Sequence, residues 1–355
     1  MSQPDTQQIE WRLEDLFGKV EGAFTCALGY LGDRLGLYAA LADIGPALSE
    51  ELAGKTGLHE RWVREWLRQQ AAAGILEHEG GRFHLTPEAE QIFAREDSPF
   101  FAAGIFQNVM GLLGTIDGLE ESFRTGVGAP YDSFGRQVAV GVERTLAPFF
   151  RTRLVPEVLP RLEGAVEKLE AGARVADVGC GAGLALVEMA KAFPRSEFHG
   201  YDNSRFALAR AEAHKAEAAV ANLTFHETTH ARLPEDESFD LITTFDCIHD
   251  MTHPTEAIAA IRRSLRSDGT WFVADIRGYA SFEENLEAQP LSGMMYGFSV
   301  LCCMRAALSV RDGEGLGTLG FPENVAREKA REAGFTRFTK HDFDNPLNDY
   351  YEIRP

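Results

Sequence analysis

The run Asp177-Val178-Gly179-Cys180-Gly181-Ala182-Gly183 follows the short apolar stretch Arg174 to Val178 and opens the apolar, helix-spaced segment Leu184 to Phe193. Three alternate glycines between a strand and a helix let the backbone turn tightly and approach a ligand where a Cβ would collide. A dinucleotide fingerprint needs a glycine at the sixth position of G-x-G-x-x-G. Leu184 stands there counting from Gly179, and Leu186 counting from Gly181, so the pyrophosphate signature fails in both registers.

Downstream, the texture is strand and helix in alternation. The pattern predicts strands at Glu197 to Tyr201, Leu223 to Glu227, Phe239 to Phe245 and Thr270 to Asp275, with helices over Ser204 to Ala218 and Thr255 to Arg266. Phe335 to Phe343 and Asp349 to Ile353 read as a closing antiparallel pair. Such alternation implies an α/β fold with a parallel sheet covered on both faces, and ligands on such sheets bind at the carboxyl ends of the strands. Functional residues are therefore expected near Gly179, Asp202, Thr229, Phe245 and Ile276.

Upstream of residue 171 the sequence is mostly helical. Apolar positions from Val20 to Leu41 recur every three or four residues, predicting one long helix stopped by Gly45-Pro46. Short helical segments follow at Leu48 to Thr56 and His59 to Ala73, then a hairpin from Ile75 to Leu85 turned by Gly80-Gly81. Helix, turn, helix and small hairpin is the winged-helix order. That order raises the reading of a DNA-binding, ligand-sensing regulator, because winged helices also read major grooves. Charge opposes it: residues 48–97 carry six basic side chains against ten acidic ones. The organisation expected is 1–97 winged helix, 98–170 helical connector and lid, and 171–355 the sheet domain.

The D-x-G-x-G-x-G run resembles the first motif of class I S-adenosylmethionine-dependent methyltransferases, and the N-terminal order resembles bacterial small-molecule methyltransferases that carry a winged helix. The resemblance implies a Rossmann-like methyltransferase sheet, S-adenosylmethionine as cofactor and a small-molecule methyl acceptor. It places the glycine loop (Gly179, Cys180, Gly181, Gly183) under the methionine end of the cofactor, with Asp177 balancing its ammonium group. Asp202, 25 residues on, matches the second motif and would take the ribose hydroxyls, with Asn203 flanking the adenine. Thr229 stands where the family usually has Asp at the adenine edge, and backbone near His230 could serve the ring. Phe245 completes the expected cofactor set at the end of the fourth strand.

Neither an Asn/Asp-Pro-Pro-aromatic motif nor a Pro-Cys setting occurs after that strand, which sets aside amino-methylating and cytosine-methylating nucleic-acid enzymes. His249-Asp250 instead falls where the resemblance places a His-Asp pair whose histidine deprotonates an acceptor hydroxyl. A base titrating near neutral pH suits transfer to a hydroxyl. The competing reading is a histidine that only shapes the pocket. Tyr131, Tyr296 and Phe298 are candidate walls of an apolar acceptor pocket, and Gly313 to Gly320 reads as a flexible loop. His249 and His253 are four apart, but Pro254 starts the helix too late for a shared metal, and no metal is expected.

Composition bounds the rest. The 355 residues are 45% apolar and 25% charged, with 35 basic against 54 acidic side chains for a formal charge of -19. That field repels phosphate backbones and anionic membranes, so neither nucleic acid nor membrane is an expected partner. The five cysteines form no C-x-x-C pair, and Met1 to Glu10 lacks an apolar leader. A cytoplasmic protein, homodimeric through its N-terminal domain as the resemblance implies, is the expectation.

Overall fold

The computed structural model describes residues 4–228 and 232–355. They form two compact units, one of residues 4–110 and 144–148, the other of 111–143 and 149–355. The segment 98–170 thus divides between the two rather than forming a body of its own.

The first unit is a winged helix. Its helices are α1 (Thr6–Arg34), α2 (Leu37–Ile44), α3 (Ser49–Thr56) and α4 (Glu60–Ala72), followed by the antiparallel pair β1 (Glu77–Glu79) and β2 (Arg82–His84). The single helix expected over Val20 to Leu41 is two: α1 begins earlier, capped by the Asp5 side chain on Gln7 N, and ends before Gly36, whose φ of 69° breaks the helix. The apolar spacing runs through the break because Leu37, Tyr38 and Leu41 of α2 enter the same core as Leu52, Trp66 and Leu67. Trp66 anchors α4 to α1 by donating its indole N–H to Leu28 O at 2.9 Å.

In the second unit seven strands follow: β3 (Arg174–Val178), β4 (Glu197–Asp202), β5 (Leu223–Glu227), β6 (Phe239–Phe245), β7 (Leu265–Ile276), β8 (Arg337–His341) and β9 (Asn348–Arg354). Their order is β5-β4-β3-β6-β7-β9-β8, with the first five parallel and β9 antiparallel to both β7 and β8. This is a mixed α/β, Rossmann-like sheet. The order reverses between β3 and β6, and ligands bind these sheets where it does. Register then decides what meets there: Asp177 lies opposite Gly200 on β4 and Thr243 on β6, and Phe245 lies opposite Ala274 on β7. Fully buried Ile242, Trp271, Val273, Tyr351 and Ile353 fill one face and hold these strand ends in place.

Candidate active site

The strand-to-helix turn after β3 is built as the alternating glycines require. Gly179, Gly181 and Gly183 have φ of 76°, 53° and 71°, a region that L side chains rarely enter. Their surroundings differ. A Cβ at 179 would lie 2.7 Å from Cys247 Sγ, and one at 183 would lie 2.5 Å from the Phe225 ring, so these two positions are closed by packing. Nothing lies within 4 Å of a Cβ at 181. Cys180 is buried beneath the turn, its thiol pushed up by burial and by the Asp202 and Asp177 charges.

Two carboxylates hold the turn. Asp177, 1% exposed, accepts a hydrogen bond from the Thr243 hydroxyl at 2.8 Å, and burial pushes its pKa up to about 8 against that bond, with the Asp202 charge adding. Asp202 accepts Gly181 N at 2.8 Å on one oxygen and Ser204 N at 2.7 Å on the other. The Asn203 backbone donates to the same carboxylate, which leaves acceptor capacity for a sugar hydroxyl. Burial raises Asp202 as well, opposed by those N–H donors. Asn203 is exposed beside it. Thr229 and His230 lie outside the described residues.

At the end of β6 the chain turns through Asp246, at φ 49°, into a single 3-10 turn, Ile248–Asp250. The Phe245 ring packs in an aromatic cluster, with centroids 5.0 Å from Phe150 and 6.1 Å from Phe272. His249 is 3% exposed. Its partner is Asp275 at the end of β7, not the adjacent Asp250: Nδ1 lies 2.5 Å from Asp275 Oδ1. Burial would lower the imidazole pKa, but the Asp275 carboxylate, together with a hydrogen bond to Cys303, holds it well above its usual value. Asp275 Oδ1 also accepts Ile276 N, while the buried Oδ2 has no partner among the described residues. Burial pushes Asp250 and Asp246 each up to about 7.

Sequence reasoning missed three contributors. Asp275 ends the strand beside β6, and strand order would have brought it to His249. Asp132 accepts the Ser204 hydroxyl at 2.6 Å and so ties the segment Tyr131–Phe134 to the second motif. Cys303 accepts from Thr318 Oγ1 at 2.9 Å as well as meeting His249. The Gly313 to Gly320 stretch is no loose loop: Gly317 N bonds His249 O at 3.1 Å, and Thr318 and Leu319 are buried.

Of the three pocket candidates, two come together. The Tyr131 phenol is pushed well up by burial, with Cys302, Asp250 and Asp202 adding to the rise. Tyr131 and Phe298 pack on one cluster with Phe134, Cys302 and Cys303. Tyr296 lies against Phe282 instead, at 5.6 Å between centroids.

A methyltransferase-domain model matches residues 169–308, and a model of the Rv2258c-like winged HTH domain matches residues 23–95. Among curated proteins, the chain is 34% identical over 108 residues to the ubiquinone biosynthesis O-methyltransferase of Ralstonia nicotianae. It is 31% identical over 104 residues to the mitochondrial form of Candida albicans. These matches take in 30% and 29% of this chain and only 44% and 32% of the relatives. Over nearly the whole chain the fold is that of two solved structures. An O-methyltransferase family protein from Burkholderia thailandensis has a TM-score of 0.68 at 15% identity, covering 96% of this chain and 97% of that one. Human N-acetylserotonin methyltransferase, solved in complex with SAM, has a TM-score of 0.66 at 16% identity, covering 100% and 99%.

Proposed function

We propose that this chain, a methyltransferase domain preceded by a winged helix-turn-helix domain, transfers a methyl group from S-adenosylmethionine to a hydroxyl of a small, apolar or aromatic molecule. The observation that carries the reading is the meeting, at the carboxyl ends of β3, β4, β6 and β7, of an open glycine turn, buried carboxylates and a His249–Asp275 pair. The cofactor fits this site on physical grounds. Gly181 faces open space, and Asp177, Asp202 and Asp250 are all held above their usual pKa by burial, so a ligand bearing positive charge relieves them.

S-adenosylmethionine, when bound, supplies a methyl on an already activated sulfonium leaving group. The chain's own residues do the rest. Asp177 holds the ammonium end, Asp202 takes the ribose hydroxyls, and the backbone around Gly181 lies against the ligand. Asp275 fixes the proton on His249 Nδ1 and raises the basicity of the ring, leaving Nε2 to remove the acceptor's proton. Tyr131 and Phe298 wall the acceptor side with apolar surface that excludes water.

The winged helix serves assembly in this reading. Trp11, Leu16, Phe17 and Phe24 on α1 are each more than half exposed, an apolar face suited to a second copy of the chain. DNA binding has little support, since Arg61, Arg64 and Arg68 of α4 pair with Glu65 or Glu60. No helix among the described residues is long and apolar enough to cross a membrane. All five cysteines are free, as a cytoplasmic location favours. Isothermal titration with S-adenosylmethionine and S-adenosylhomocysteine, beside NAD and FAD, tests the proposal. Micromolar binding of the two sulfur nucleosides alone supports it; binding of neither sinks it.

A further inference from the structure

Arg305 is 9% exposed and carries no carboxylate partner among the described residues. Its Nη1 donates to Thr115 O at 3.2 Å and Thr115 Oγ1 at 2.9 Å, and its guanidinium lies over the Phe134 ring at 5.4 Å. The Nε–H is buried without an acceptor, and Nη2 makes no hydrogen bond among the described residues. Nε and Nη2 share one edge of the planar guanidinium, the edge that grips an oxyanion with two parallel bonds. By contrast Arg277 and Lys340, in a cleft of about 1070 Å³ beside the C-terminal hairpin, are both engaged by Asp349 at 2.9 and 2.8 Å.

A buried cation with one edge unbonded is costly unless something completes it. Gly118 marks where that something would enter: a Cβ there would stand 2.7 Å from Nη2. The Gly118 backbone, at φ -72° and ψ -13°, suits any residue, so conformation does not require the glycine. What its missing side chain does is keep a Cβ off Nη2.

We propose that the Nε/Nη2 edge of Arg305 is a binding site for the carboxylate of a small organic acid. The charge of the site selects a monoanion: among the described residues no second basic side chain shares the contacts of Arg305 with Thr115 and Phe134, and the chain's net charge is -19. The inference does not depend on the methyltransferase reading and holds or fails without it.

Calorimetric titration of the full chain with sodium benzoate at low ionic strength tests it. The expected result is saturable one-site binding that weakens about tenfold or more in Gly118→Ala, where the charge remains and only the edge is blocked, and again in Arg305→Lys, which keeps the charge without the fork. A denaturation midpoint for Gly118→Ala equal to the parent's separates blocking from unfolding. Equal benzoate binding by the parent and Gly118→Ala, or none by either, overturns the site. Inorganic phosphate binding as tightly as benzoate overturns the carboxylate assignment. A response that appears only in Asp117→Asn also overturns it, because the edge would then belong to a carboxylate of the chain itself.

Discussion

Binding of the sulfur nucleosides should release a proton, and Asp177 should be its source. Its carboxyl is pushed up to about 8, chiefly because the residue is 1% exposed, with the Thr243 hydrogen bond opposing and the Asp202 charge assisting. At pH 7 a group of pKa 8 is protonated in about nine molecules of ten. An ammonium group placed against it returns the pKa to the ordinary carboxylate range, so the complex holds almost none of that proton. Log affinity should therefore rise by about 0.9 per pH unit near pH 7 and level off above about pH 9. The sign for the empty fold is opposite. An acid whose folded pKa is raised stabilises the fold at low pH, and that contribution is lost as pH rises from the unfolded value toward 8. Titrating S-adenosylhomocysteine at pH 7 in two buffers of different ionisation enthalpy counts the protons directly. Asp202, Asp246 and Asp250 add their own share, so the decisive quantity is the difference between the parent and Asp177→Asn, about one proton. Equal proton counts in two proteins that both bind would refute the reasoning.

His249→Ala should lower turnover by about 10²- to 10⁴-fold with S-adenosylhomocysteine affinity unchanged. Because Asp275 holds the imidazole pKa above its usual value, kcat/KM should climb with pH to an inflection above 6.5. Asp275→Asn should move that inflection down, which NMR titration of the ring checks without any acceptor; an unmoved ring pKa rejects the pairing. Gly181→Ala and Gly183→Ala should part company: both incur about 1–2 kcal/mol of left-handed strain. Only Gly183→Ala adds a clash with Phe225, about 1–3 kcal/mol more in denaturant melts, while only Gly181→Ala loses ligand affinity in a fold that remains intact. Phe17→Glu should halve the mass seen by light scattering; a parent already monomeric, or a variant still dimeric, rules out α1 as the interface.

The parts of this site that were legible in the sequence are those that local chemistry dictates. A glycine every second residue between an apolar strand and a helix leaves one backbone solution, and Gly179 to Gly183 adopt it. Asp202 was legible because it ends a strand, and the strand ends came out within a residue or two along β3 to β6. What stayed hidden depends on order across the sheet rather than along the chain. Asp250 is next to His249 in sequence, yet the turn Ile248–Asp250 aims the imidazole at β7, so Asp275, 26 residues away, takes the bond. Phe245 sits at the right strand end and on the face of Thr243, but its ring is taken up by the cluster with Phe150 and Phe272. The glycine-rich stretch near 317 looked free because composition does not reveal that the Gly317 amide fastens to the His249 carbonyl and the Glu314 amide to that of Thr252.

Desolvation ties the two proposed sites together, with opposite signs. Around Gly181 several carboxylates share a buried space in which His249 is the titratable cation, and the fold responds by keeping protons on them. Around Gly118 one guanidinium is buried with no carboxylate partner among the described residues. The first site can therefore rest neutral and take up a cation by releasing protons. The second cannot be neutralised that way and requires an anion or water at its edge. The two glycines differ in the same sense: Gly181 is needed for its φ of 53°, whereas at Gly118 an alanine would fit the backbone and fail only by covering Nη2. The cofactor's positive charge and the organic acid's negative charge are therefore to be sought with separate probes, and proton release belongs to the first titration alone.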